Sequence, residues 1–153
     1  MRALGIDLGS KRIGVALSDP GGVLASPVTT IPRTRDDAAF HRRLLALIEE
    51  EDVEVVVVGL PRSLDGSSGP AADAAQREAD ILADVLPVPV VTHDERLTTV
   101  TAHQQLRAAG VDGRRRRQIV DQQAAAVLLQ SWLDASRPNT ANPTTAPPKD
   151  PTS

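Results

Sequence analysis

The chain has 153 residues, 41% of them apolar, no cysteine, and a formal net charge of −3. That length holds one domain, and the missing cysteine excludes disulfides, thiolate nucleophiles and Cys-ligated zinc. The net acidity argues against a general affinity for polyanions, leaving any such binding to a local patch.

Only Phe40 and Trp132 are aromatic, so a nucleic acid cannot be held chiefly by stacking bases on rings. No apolar run approaches the ~18 residues that suggest a bilayer span, and the first residues enter a strand too quickly for a signal peptide. The expectation is a cytoplasmic protein with no membrane partner. Its basic charge is almost all arginine, with Lys11 and Lys149 the only lysines. Arginine's planar fork binds two phosphate oxygens at once, and four arginines form one block, Arg114, Arg115, Arg116 and Arg117.

The stretch Gly5 to Leu8 reads as a short apolar strand holding one carboxylate, Asp7. A turn through Gly9-Ser10-Lys11-Arg12 leads into a second strand that ends at Asp19. A lone acid in an apolar strand is costly to bury unless it is paired or binds a cation. Read alone, it also fits a turn cap. Val23 to Ile31 reads as a third strand, placed at a sheet edge by Pro27 and Pro32. Thr34 and Asp37 are spaced as a capping box, and Phe40, Leu44, Leu47 and Ile48 recur at helical spacing to about Asp52.

Val53 to Leu60 is β-branched and continuous, as a central strand covered on both faces would be. A polar loop from Pro61 to Gly69 follows, then a helix from Pro70 to about Leu86, a strand from Val88 to Thr92, and the exit His93-Asp94-Glu95-Arg96. Thr98 or Thr99 caps a helix that Gly110 stops, and a last helix runs from Gln118 to about Ala135. The segment from residue 137 is rich in proline, threonine and asparagine with no apolar face, which predicts a disordered tail (137–153) after one folded domain (1–136). This order predicts an α/β fold: a mixed five-stranded sheet with helices on both faces. Ligand sites in such sheets gather at the strands' C-terminal ends.

Three sources of carboxylate could share that mouth: Asp7, the pair Asp94-Glu95, and Asp121, which shares a helical stripe with Ala125, Leu128 and Trp132. Clustered carboxylates repel, and a divalent cation with hard oxygen ligands relieves this. Mg²⁺ or Mn²⁺ fits. Zinc does not, because His41, His93 and His103 have no ligand spacing. Two such metals would clamp the attacking and leaving oxygens of a phosphodiester. The arginine block, at a helix N-terminus, is either a phosphate site or a solvated loop.

Asp7-Leu8-Gly9-Ser10-Lys11-Arg12-Ile13-Gly14, Val58-Gly59-Leu60-Pro61 with Asp65-Gly66-Ser67, Asp94-Glu95-Arg96-Leu97-Thr98-Thr99, and Asp121 before an Ala-Val-Leu-Leu-Gln helix together resemble the YqgF (RuvX) family. These are nucleases of pre-16S rRNA, also described as Holliday-junction-resolvase-like. The match runs from about Leu4 to Leu133. The resemblance implies a ribonuclease H-like fold, metal-dependent hydrolysis of phosphodiesters, and trimming of the 5′ end of the small-subunit rRNA precursor. Asp7, Glu95 and Asp121 match the family's acidic triad and its metal ligands. Asp94 is placed to substitute or assist, Arg96 to neutralise charge on the scissile phosphate, and Lys11 and Arg12 to hold a phosphate.

The implied partner is nucleic acid, either an rRNA precursor or branched DNA. A four-way-junction resolvase should be a two-fold dimer, and the sequence leaves monomer and homodimer open. A non-catalytic RNA-binding protein on the same frame is a third reading. A nucleotide-binding ATPase domain is a fourth, although there is no Gly-x-x-x-x-Gly-Lys loop.

Overall fold

The computed structural model describes residues 1–9, 11–61, 69–94 and 113–136, the last segment by backbone alone through 121. Five strands, β1 (Ala3–Leu8), β2 (Arg12–Ser18), β3 (Ala25–Pro32), β4 (Val55–Leu60) and β5 (Val90–Asp94), form one sheet in the order β3-β2-β1-β4-β5. The first three make an antiparallel meander, and β4 and β5 extend it in parallel from β1. The helices among the described residues are α1 (Ala38–Glu50), α2 (Pro70–Val85) and α3 (Gly113–Ser136).

Alternation along the strands divides the core in two. Leu4, Ile6, Val56 and Val58 pack with Phe40, Leu44 and Leu47 of α1 and Ala79 and Leu82 of α2. Ala3, Ala16, Val55 and Val57 pack on the other face with Ala125, Ala126, Leu129 and Leu133 of α3. Helices therefore cover both faces, as expected. β4 is buried at every position, which accounts for its unbroken apolar run. The two-residue period of β1 sends Leu4 and Ile6 to one core and Ala3 to the other.

Two boundaries differ from the sequence reading. The first is the start of α1, where the spacing of Thr34 and Asp37 does not make a capping box. Asp37 is the N-cap residue but its side chain makes no cap hydrogen bond. Instead the Asp36 carboxylate accepts from the Ala38 amide at 3.0 Å, and Thr34 Oγ1 donates to the Asp36 carbonyl at 2.8 Å. Aspartate competes well for a local amide, and Asp36, two residues before Ala38, has taken that place. The second is the start of α3, which begins at Gly113, so Arg114 to Arg117 form its first turn rather than a lead-in to it. Arginine is a strong helix former, and nothing between Gly113 and Gln118 breaks the helix. The expected helix between Thr98 and Gly110 and the tail from residue 137 lie outside the described residues.

β3 lies at the sheet edge, as its prolines require. Its register against β2 shifts between Val15, paired with Thr29, and Ala16, paired with Pro27, so Val28 is the extra residue of a bulge. The α3 helix is latched to the start of this strand by Gln130, whose Oε1 accepts from the Ala25 amide at 2.9 Å and whose Nε2 donates to the Val23 carbonyl at 2.8 Å.

Candidate active site

Asp7 lies at the penultimate position of β1, half-buried, after four buried residues. Register partners share a face, so pairing extends its position into a row across the sheet. Thr30 of β3 pairs with Gly14 of β2, and Gly14 with Asp7. On the other side Ile6 pairs with Val58, which brings Gly59 level with Asp7, and Gly59 pairs with His93 of β5. Its register neighbours on both adjoining strands are thus glycines. Sequence reading located the acid but not this pairing, because the glycines meet Asp7 only once the register is known.

Asp7 also shares the α3-facing side with Gly5. A Cβ at Gly5 would stand 2.8 Å from Leu129 Cβ and 3.2 Å from the Ala125 carbonyl, so helix backbone and strand backbone meet there. Asp121 occupies α3 four residues before Ala125, about 6 Å along the axis. Asp7 lies two residues beyond Gly5, about 6.6 Å along the strand. The close contact at Gly5 is therefore one step from each acid. Asp121's side chain, and all of Glu95 and Arg96, lie outside the described residues, as do the side chains of Arg114 to Arg117.

The strand β5 orients its exit. Val90 packs on the α1/α2 core and Val91 on the α3 core. His93 follows Val91 onto the α3 side, where its Nε2 is 3.0 Å from Ser131 Oγ. Asp94 alternates with Val90 onto the opposite face from Asp7. Of the pair Asp94-Glu95, the strand's pleat thus sets Asp94 away from Asp7.

The turn between β1 and β2, at the end of the strand that holds Asp7, carries Lys11, exposed, and leads to Arg12, half-buried. The Gly9 amide donates to the Arg12 carbonyl at 3.0 Å, and a side chain at Gly9 would collide with that same oxygen. Arg33, just past β3, had no role in the sequence reading. Its Nε donates to the Gly9 carbonyl at 2.9 Å, and its two terminal nitrogens donate to the Glu78 carboxylate of α2 at 2.6 and 2.7 Å. Its own amide donates to the Lys11 carbonyl at 2.9 Å. The Glu78 carboxylate raises the Arg33 pKa above its ordinary value, against the opposing effect of burial. No local signal marks this pair, because Glu78 is distant in sequence. Beside it a cleft of about 250 Å³ is lined by Leu8, Gly9, Pro61 and Ala75.

Among the described residues no three acids or histidines form a metal-binding group. A cation site on this face would need the side chains of Glu95 and Asp121 beside Asp7. Asp7 itself suits a hard cation in its chemistry: it is an oxygen donor on a half-buried strand end.

A profile described as "RuvX: Holliday junction resolvase" matches residues 1–135. The chain belongs to the RuvX family. Among its RuvX relatives, a protein of Streptomyces avermitilis is 53% identical over 137 residues, covering 89% of this chain and 87% of the relative. One from Mycobacterium sp. (strain KMS) is 51% identical over 143 residues, covering 93% and 85%. Both carry the name "Putative pre-16S rRNA nuclease". Among solved structures, the Fowlpox virus resolvase in complex with Holliday junction DNA superposes with a TM-score of 0.53 at 11% identity, over 88% of this chain and 98% of that one. Thermus thermophilus RuvC gives 0.50 at 18%, over 88% and 95%. At these identities the likeness shows the fold. This RuvX chain has the mixed five-stranded, resolvase-like sheet that the sequence predicts. Among its described residues no helix is long and apolar enough to cross a membrane.

Proposed function

We propose that this RuvX-family chain is a cytoplasmic, Mg²⁺- or Mn²⁺-dependent nuclease that hydrolyses phosphodiester bonds, with the 5′ end of pre-16S rRNA as its substrate. The observation that carries this reading is the seam at Gly5. Asp121 lies four helix residues from that contact and Asp7 two strand residues from it, which supports a site shared by the two acids. The names of the close relatives supply the substrate.

Asp7, Glu95 and Asp121 would hold the cation. Once bound, it would neutralise the mutual repulsion of the carboxylates and lower the pKa of water at the site. Asp7 supplies a fixed oxygen donor from a rigid strand rather than from a loop. Lys11 and Arg12 hold the nucleic-acid backbone beside it, and the first turn of α3 adds Arg114 to Arg117. A helix's first turn has amides that its own ladder leaves unbonded and the positive end of the dipole, both favourable to phosphate. Arg96, next to Glu95 in sequence, would neutralise the charge that develops on the scissile phosphate. Asp94 is the weaker candidate for the site because β5 alternation turns it to the far face.

The test is titration of Mg²⁺ and Mn²⁺ into wild type and Asp7→Asn, with cleavage of an end-labelled rRNA-precursor fragment measured beside a four-way DNA junction. Metal uptake lost in the variant, with RNA cut in preference to the junction, supports the reading. No uptake and no cleavage of either substrate overturns it and leaves a binding protein. The family's own description favours one second reading, junction resolution. Paired symmetric cuts in the four-way junction by a two-fold dimer would establish it.

A further inference from the structure

Arg33 binds to the β1–β2 turn at two points and to α2 at a third. We propose that Arg33 and Glu78 form a positioning clamp that shapes the Gly9–Arg12 turn to receive a substrate phosphate. This inference rests on the nuclease reading of the same site. Three carbonyl oxygens of the turn are occupied by donors: Gly9 by Arg33 Nε, Lys11 by the Arg33 amide, and Arg12 by the Gly9 amide. A carbonyl lone pair facing outward would repel a phosphate. With these oxygens engaged, the approaching backbone meets a turn whose exposed charge is the Lys11 cation.

The charge of the guanidinium is already matched by the Glu78 carboxylate, which weakens its own pull on a phosphate. Nε is committed to Gly9 and both terminal nitrogens to Glu78, in a fork with low side-chain exposure (20% for Arg33 and 27% for Glu78). Such forked, partly desolvated pairs are the geometrically specific ones. The clamp thus ties the turn to α2, the helix that follows the loop leaving β4. Lysine cannot replace it, because a point charge spans Gly9 or Glu78 but not both.

Steady-state cleavage of a short RNA by wild type, Arg33→Lys and Glu78→Gln tests the clamp, well below each protein's Tm. Arg33→Lys is expected to raise KM about tenfold, the scale of one lost charge-assisted hydrogen bond. The value of kcat should stay within about threefold, since the interaction serves binding rather than the transition state. Glu78→Gln keeps the bond to Gly9 and should raise KM less. A merely structural pair would lower Tm and scale kcat with the folded fraction while KM held. Unchanged KM in both variants overturns the clamp. A wild type that cleaves nothing removes the nuclease reading, and the clamp is then judged by affinity for the same RNA at low salt. Weaker binding by Arg33→Lys upholds it, and equal binding overturns it.

Discussion

A single methyl group at residue 5 is a sensitive probe of the sheet–helix seam. Gly5→Ala would drive a Cβ against Leu129 Cβ and the Ala125 carbonyl, and the second of these is backbone that yields only if α3 moves. Overpacking of this kind costs ~1–3 kcal/mol, so denaturant unfolding should show a lower midpoint with an unchanged slope. Cleavage should fall further than stability does, because α3 carries Asp121. Two residues on, Asp7→Asn should lower cleavage by orders of magnitude while Tm without metal holds or rises, since a repelling charge is gone. A large loss of Tm would instead mark Asp7 as structural. Asp19 has a different part. Its carboxylate accepts the Val23 and Leu24 amides at 2.7 and 2.9 Å, and these bonds, Leu24 first, hold its pKa below the ordinary value. A lowered folded pKa adds stability that is present above the unfolded pKa and lost as pH falls through the folded one. The Tm difference between wild type and Asp19→Asn should therefore narrow on acidification through the carboxylate range. A gap that stays constant into acid would show that ionisation of Asp19 is irrelevant.

At the scale of elements, α3 covers one face of the sheet. Leu129 is fully buried against the sheet, and Leu129→Ala should cost about 2–5 kcal/mol through lost burial and the cavity left behind. Thermal melts would check this; a cost below that of an exposed position such as Leu45 would contradict the packing described. The elements also show what the sequence discloses. Phe40, Leu44, Leu47 and Ile48 are the buried stripe of α1, legible because helical period is a local property. β4 announces itself by a run of valines and β3 by its prolines, again from local chemistry. The row Thr30-Gly14-Asp7-Gly59-His93 and the Arg33–Glu78 fork were not legible, since each depends on strand register or on helix placement. The start of α3 escaped for another reason. A run of arginines suits both a solvated loop and a helix, and only tertiary context chooses between them. Asp7 stood out because an acid within an apolar strand conflicts with its surroundings, and such conflicts gather at functional sites.

For the molecule as a whole, a net charge of −3 makes nucleic-acid binding a matter of where the arginines stand. Replacing Arg114 to Arg117 with serine should weaken RNA binding and flatten its salt dependence, with kcat retained. Each phosphate left without its arginine lowers the slope of log K against log salt by about 0.7 on a single strand. An unchanged slope would remove that helix turn from the interface. The meander at one end of the sheet also has a protective role. Pro27, Pro32 and the bulge at Val28 occupy the exposed edge, where a regular strand would invite pairing between copies.

The chain's lone tryptophan, Trp132, packs on the α3 side of the sheet. The seam that unites the two ends of the chain therefore carries its own fluorophore. During refolding, hairpins among neighbouring strands close early because their pairings are local. α3 must close a loop spanning most of the sequence before it can dock. Emission from Trp132 should report that late step without any label, and nuclease activity should return in time with it rather than with the earlier gain of secondary structure.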